Sequence, residues 1–262
     1  MKRILLACLL AMICCSGGFS QIKIGNRTLD TKKVLGAASD VAKAVTLSDR
    51  DIAEMSRESV EWMDKNNKVS APESDYSQRL SRITAKFGEV EGLKLNFKVY
   101  EVTDVNAFAC GDGSIRVFSA LMDLMTDDEL AAIIGHEIGH VVHTDSKDAM
   151  KNAYLTSAAL NAAGVTGGVV AKLSDSEMGK LVEAFTGAKF SQKQEYEADE
   201  YAFDFCVKNG FDPYAMSKAL NKLVELSNGA EASTVQKMFS SHPDSAKRAE
   251  RMKEKADVYS RK

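Results

Sequence analysis

A chain of 262 residues, 45% apolar and 27% charged, has the material for one sizeable core with appendages. Its net charge of −3, with no basic stripe interleaved with aromatics, excludes the electrostatic footprint of a nucleic-acid binder. The apolar run Ile4 to Cys15 is too short to span a bilayer.

That run, preceded by Lys2-Arg3 and followed by Gly18-Phe19-Ser20, reads instead as a secretory leader over residues 1–20, cut after Ser20. The alternative is a lipoprotein signal, because Cys8 and Cys15 both lie near the expected position. Cys8 follows a very short apolar stretch and Cys15 follows bulky residues, so simple secretion leads and membrane contact is expected only with a lipid anchor. Three of the five cysteines fall in the leader. Cys110 and Cys206 remain, and in an oxidising compartment they either bridge or stay as two buried thiols.

Residues 21–47 form an N-terminal segment ahead of a domain over 48–262. Residues 31–66 read as helical, with Ser48 capping Asp49 to Lys65. Residues 67–73 read as a loop, and Ser74 to Phe87 as a further helix. Leu95 to Tyr100 alternates as a strand does, and Ala107–Ala109 and Ile115–Phe118 flank a hairpin turn at residues 110–114. Thr126, with Glu129 three positions on, opens the next helix by a capping box, and that helix runs to about His143. Ala-rich helix over 148–171 leads into a mobile Gly164–Gly168 stretch. Ser191–Asn209, 213–228 and 244–257 are three more helices. The segment Ser174 to Phe190 is placed to cover a cleft, and scattered methionines such as Met122, Met150 and Met216 read as core filling. The class is α+β, mainly α, with a small sheet or hairpin beside the central helix.

The central helix carries Gly135-His136-Glu137-Ile138-Gly139-His140 in an otherwise apolar run from Leu130 to Val142. A helix apolar on all sides is buried, and two histidines and a glutamate inside it are costly unless something compensates. His136 and His140 lie about 40° apart around the axis and about 6 Å along it, so one metal ion fits between them, with Glu137 beside it as general base. Of four histidines in the chain, three fall between 136 and 143, which weighs further toward metal. His143 is about 10 Å along the axis from His136 and reads as a surface or supporting residue. Zinc in a catalytic site takes three protein ligands, and the third is sought elsewhere. Glu195, Asp199, Ala202 and Cys206 form one helical stripe. On it Glu195 suits the third ligand and Asp199 the hydrogen-bond acceptor of a ligand histidine, while Glu197 faces solvent. Gly135 and Gly139, one turn apart, allow a neighbouring element to approach closely.

HExxH followed by Glu195-x-x-x-Asp199 resembles the gluzincin metallopeptidases that include the HtpX, BepA, LoiP and CAAX-prenyl proteases, most of all the LoiP-type periplasmic members. Asn106-Ala107-Phe108-Ala109, the Ser191-to-Asp199 segment, and His242-Pro243 with Arg248 match the family's other motifs in order and spacing, over roughly residues 48–256. The resemblance implies a zincin-like fold and one zinc ion per chain, held by His136, His140 and Glu195. It implies Glu137 as the catalytic base, with His242 and Arg248 as candidate stabilisers of the oxyanion. It also implies a periplasmic place, or an outer-membrane lipoprotein as the alternative, and a part in protein quality control. A strand of small residues at Asn106 to Ala109 suits an extended peptide added through its backbone, hence unfolded protein substrates, although a plain core strand fits equally. A further expectation is that His242 occupies the open metal position and restrains the resting enzyme. Cys110-Gly111-Asp112-Gly113 departs from the Pro-Gly-Gly turn of many relatives, and the long spanning helices of the membrane-embedded ones are missing. The competing readings are a zinc-containing binding or chaperone-like protein without proteolysis, and a non-haem iron oxygenase. The intact Glu137 disfavours the first and the helical HExxH disfavours the second.

Overall fold

The computed structural model describes residues 21–24, 27–30, 48–90, 92–160, 173–229 and 232–261. The expected leader, the helical reading of residues 31–47 and the Gly164–Gly168 stretch lie outside the described residues. Strands β1 (Gln21–Ile24) and β2 (Arg27–Asp30) pair antiparallel with each other. Helix α1 (Asp49–Asn66) starts at the expected cap, with Ser48 and Asp51 forming a capping box. Helix α2 (Asp75–Thr84) ends earlier than Phe87, because its last turn tightens: Lys86 N–H reaches the Ile83 carbonyl and Phe87 N–H that of Thr84.

Three strands form the main sheet, β3 (Asn96–Tyr100), β4 (Ala107–Ala109) and β5 (Ser114–Phe118), in the order β3-β5-β4. β4 and β5 form the expected hairpin, with Ala107 opposite Val117, while β3 runs parallel to β5 with Asn96 opposite Ser114. Alternation along β5 sorts its side chains to two faces. Ile115 and Val117 join the larger hydrophobic core; Phe118 joins the smaller. Arg116, between them, is buried and forks onto Asp64 of α1 through Nε (2.9 Å) and Nη2 (3.1 Å). The Tyr100 hydroxyl and Lys98 Nζ, each 2.7 Å away, complete the ring of donors around Asp64. These charge-assisted bonds tie α1 to the sheet.

The remaining helices follow in order: α3 (Ser119–Leu124), α4 (Asp127–Val142), α5 (Asp145–Leu160), α6 (Asp175–Thr186), α7 (Gln192–Lys208), α8 (Ala215–Ser227), α9 (Ala232–Ser241) and α10 (Ser245–Tyr259). The larger core joins one sheet face to α2, α4, α7, α8, α9 and α10; the smaller joins α1, α5 and α6 around Tyr100, Phe108 and Phe118. Thr144, at φ 68°, breaks the chain between α4 and α5, so α5 begins three residues before the expected 148. The segment expected to cover the cleft supplies α6, which packs against α1 and α5, where Trp62 Nε1 donates to Asp175. Met122, Met125, Met150, Met178, Met216 and Met238 are all buried, as expected.

Helix α4 is buried along almost its whole length and packs most extensively on α7. The two glycines make that approach possible. A Cβ on Gly139 would sit 3.1 Å from the Ala198 Cα, and one on Gly135 3.0 Å from Phe205 Cδ1. Close packing here is what sets Glu195 opposite the two histidines. Cys110 and Cys206 are both free and buried, which settles their alternatives in favour of thiols. Among the described residues, no helix is long and apolar enough to cross a membrane.

Candidate metal centre

Two helices and one turn build the centre. α4 presents His136 and His140 one turn apart, α7 presents Glu195 from its first turn, and the turn between α9 and α10 presents His242. His136 Nε2 and His140 Nε2 are 3.0 Å apart. Glu195 Oε1 is 3.4 Å from His140 Nε2, and Oε2 is 3.7 Å from His136 Nε2. His242 Nδ1 stands 3.0 Å from Glu195 Oε1 and 3.4 Å from His136 Nε2. The four groups are buried and can hold one metal ion, their ligand atoms all lying within 4.8 Å of one another. Tetrahedral zinc with bonds near 2.0–2.1 Å separates its ligand atoms by roughly 3.3 Å, so an N/O set at 3.0–3.7 Å fits zinc without rearrangement.

The outer faces of the rings are engaged too. His136 Nδ1 lies 2.9 Å from Asp199 Oδ1, the partnership expected of Asp199. Arg248 grips the same carboxylate through Nε (2.8 Å) and Nη2 (2.7 Å), and its Nη1 contacts Glu195. His140 Nδ1 lies 2.9 Å from Asp145 Oδ2. Burial raises the Glu195 carboxyl, but the surrounding His242, His140 and His136 rings outweigh it and hold the group well below the usual carboxylate range. Asp199 is likewise held low against burial by Arg248. Burial and the neighbouring His140 pull His136 down, favouring the neutral ring that a metal requires. His140, also depressed by burial, is held up by Asp145 and Glu195, at about 9.

Glu137 is buried beside the cluster, and its Oε1 has no hydrogen-bond partner among the described residues, the closest ring nitrogen being His242 Nε2 at 3.7 Å. A buried carboxylate oxygen left free in this way is placed to take a proton. Beside His136 and His242 lies a narrow, mostly apolar crevice walled by Ile133, Met216, Leu220, Leu223 and Met238. β4 lies next to α4, and among the described residues no strand pairs with its outer edge. Ala107, Phe108, Ala109 and Asn106 on and before that strand are buried. His143 and Glu197 are exposed, as expected.

Three participants were not legible beforehand: Asp145, Gln194 and Phe190. Phe190 stacks on the His140 ring, with centroids 4.0 Å apart and planes 14° from parallel. Its N–H also donates to the Ser241 carbonyl, next to His242. A signal for Gln194 existed in the cap sequence Ser191-x-x-Gln194, but nothing local marks its second contact.

A helical HExxH, a buried carboxylate set against it from a second helix and a small sheet alongside are the features of a zincin-type zinc metallopeptidase. The sequence profile of peptidase family M48 matches residues 71–256. Metalloprotease LoiP of Escherichia coli (strain K12) is 38% identical over 232 residues, covering 88% of this chain and 90% of that protein. Metalloprotease YcaL of the same organism is 36% identical over 228 residues, covering 87% and 88%. The β-barrel assembly-enhancing protease of Yersinia pestis is 31% identical over 173 residues, covering 60% of this chain and 35% of that one. The chain belongs to peptidase family M48: it is a zinc-dependent metalloendopeptidase, and its substrates are peptides or proteins.

Proposed function

We propose that the protein cleaves unfolded or misfolded proteins of the cell envelope, with residues 1–20 as a leader, 21–47 as an N-terminal segment and 48–262 as the peptidase domain. The observation carrying the residue assignment is the free buried oxygen of Glu137 beside the His136, His140 and Glu195 set. Zinc held there supplies Lewis-acid activation of water and of the scissile carbonyl. Glu137 takes the proton from the attacking water and returns it to the leaving amine. His242 Nε2 faces Glu137 and the reaction space, which suits a hydrogen-bond donor to the developing oxyanion. Arg248, bound to Glu195 and Asp199 of α7, steadies both and reaches the oxyanion only through the charge it contributes.

β4, whose outer edge no strand pairs among the described residues, offers that edge to an extended substrate, with Asn106 to Ala109 as the docking strand. Backbone pairing demands an unfolded segment. A folded protein cleaved as readily as its denatured form would count against this mode. Periplasmic residence, by plain secretion or as an outer-membrane lipoprotein, is the setting in which such an activity serves quality control.

His242 Nδ1 stands within ligand distance of the other three groups, so a four-ligand resting site is part of the same reading. With zinc bound, His242 as a fourth ligand would restrain the resting site by occupying the position that water or substrate would take. His242→Ala should change both zinc affinity and casein cleavage; unchanged values dispose of the restraint. Glu137→Gln is the decisive test of the whole: zinc content and thermal stability kept, casein cleavage abolished. If Glu137→Gln still cleaves casein, the base is another group.

A further inference from the structure

The two histidines on α4 are oriented by carboxylates in different electrical surroundings. Asp199, the acceptor for His136, is doubly bonded to the Arg248 guanidinium. Asp145, the acceptor for His140, takes its second bond from a neutral amide: Gln194 Nε2 donates to its Oδ1 at 2.8 Å. Gln194 is itself fixed, since its Oε1 accepts from both the N–H and the hydroxyl of Ser191, each at 2.8 Å. Phe190, on the residue before that cap, lies flat against the His140 ring. The backbone pays for this geometry. Thr144 is β-branched yet sits at φ 68°, a region such residues rarely enter, and that turn brings the start of α5 back beneath His140.

We propose that Asp145 is a positioning residue for zinc: with Gln194 behind it and Phe190 on the ring face, it fixes His140 with Nδ1 protonated and Nε2 aimed at the metal. A carboxylate behind a ligand imidazole strengthens the ligand, and Asp145, sharing its charge with an amide rather than a guanidinium, pulls harder on His140 than Asp199 does on His136. The first turn of α7 therefore sets two ligands together, Glu195 directly and His140 through Gln194 and Asp145.

The inference rests on His140 being a zinc ligand, which His140→Ala examines on its own by loss of bound zinc. The test itself measures zinc dissociation constants by chelator competition on the full folded chain, with the absorption spectrum of the cobalt-substituted protein as a second readout. Asp145→Asn should weaken zinc roughly 10- to 100-fold and shift the cobalt bands. Gln194→Glu keeps the cap but replaces the donor to Asp145 with an acceptor, and should fall between wild type and Asp145→Asn. A purely structural Asp145 would instead lower the thermal stability of the zinc-free protein and leave affinity and spectrum alone. Should Asp145→Asn fail to fold, Gln194→Glu decides. Zinc affinity within about twofold of wild type in every variant that folds, with His140→Ala having lost its zinc, overturns the proposal while sparing the ligand assignment.

Discussion

Gly139→Ala tests whether the spacing of α4 and α7 sets the metal site. The added Cβ would meet the Ala198 Cα at 3.1 Å, the Ala198 carbonyl oxygen at 3.2 Å and Tyr201 Cβ at 3.2 Å. Carbon–carbon contacts are comfortable near ~3.6 Å, so the shortfall is about 0.5 Å. The obstacle is backbone, which cannot rotate aside, so α7 must back away. Overpacking of this kind costs about 1–3 kcal/mol. Replacing a glycine inside a helix returns about 1 kcal/mol, leaving a net loss of ~0–2 kcal/mol. Stability is thus only modestly affected; function should suffer more. Glu195 lies one turn before Ala198 and Asp199 directly after it, so both carboxylates move with the backbone by about the 0.5 Å that such a constellation tolerates. Casein cleavage should drop on the order of tenfold, with weaker zinc binding by chelator competition. Gly179→Ala in α6 is the control. Its Cβ would stand 3.5 Å from Trp62 Cζ2, an ordinary contact. It should raise Tm by ~2–4 °C and leave activity unchanged. Gly139→Ala matching wild type in activity and zinc affinity would refute the argument.

Asp64→Asn should destabilise the protein by about 3 kcal/mol in urea titration, because Arg116 stays buried with no anionic partner. Against the cost of its own burial, Arg116, Lys98 and Tyr100 hold the Asp64 carboxyl below its ordinary value. Its contribution is therefore complete above about pH 4, the unfolded value, and is lost as pH falls through the lower folded value. Acid titration of Asp64→Asn should lack that part of the wild-type loss; an unchanged difference between the two down to pH 2 contradicts the assignment. Burial pushes the Cys206 thiol up to about 12 and raises that of Cys110 also. Both should resist a thiol reagent at pH 8 until the protein unfolds, and fast labelling of the native protein would show otherwise.

What could be read from the residues was whatever lay within one helix. His136, Glu137 and His140 announce themselves by a 3.6-residue period in an apolar run, and Glu195 with Asp199 by sharing one stripe. Thr126-Glu129 marks the start of α4. Position across the fold was less accessible. The alternation of Leu95 to Tyr100 identifies a strand, yet nothing in it dictates parallel pairing with β5. The buried apolar residues among the described side chains of α9 are Val235 and Met238, too short a stripe to register as a helix period. Asp145 escaped notice because its role depends on the unusual turn at Thr144, and Phe190 because a lone aromatic beside a cap carries no pattern at all.

The groups that assemble the centre are spread widely along the polypeptide, from His136 through Glu195 to His242 and Arg248. A ribosome or translocon releasing the chain from its beginning exposes the histidine pair long before the last helix exists to hold Asp199 and Glu195. The cluster as folded is therefore complete only once the carboxy-terminal helix has been made.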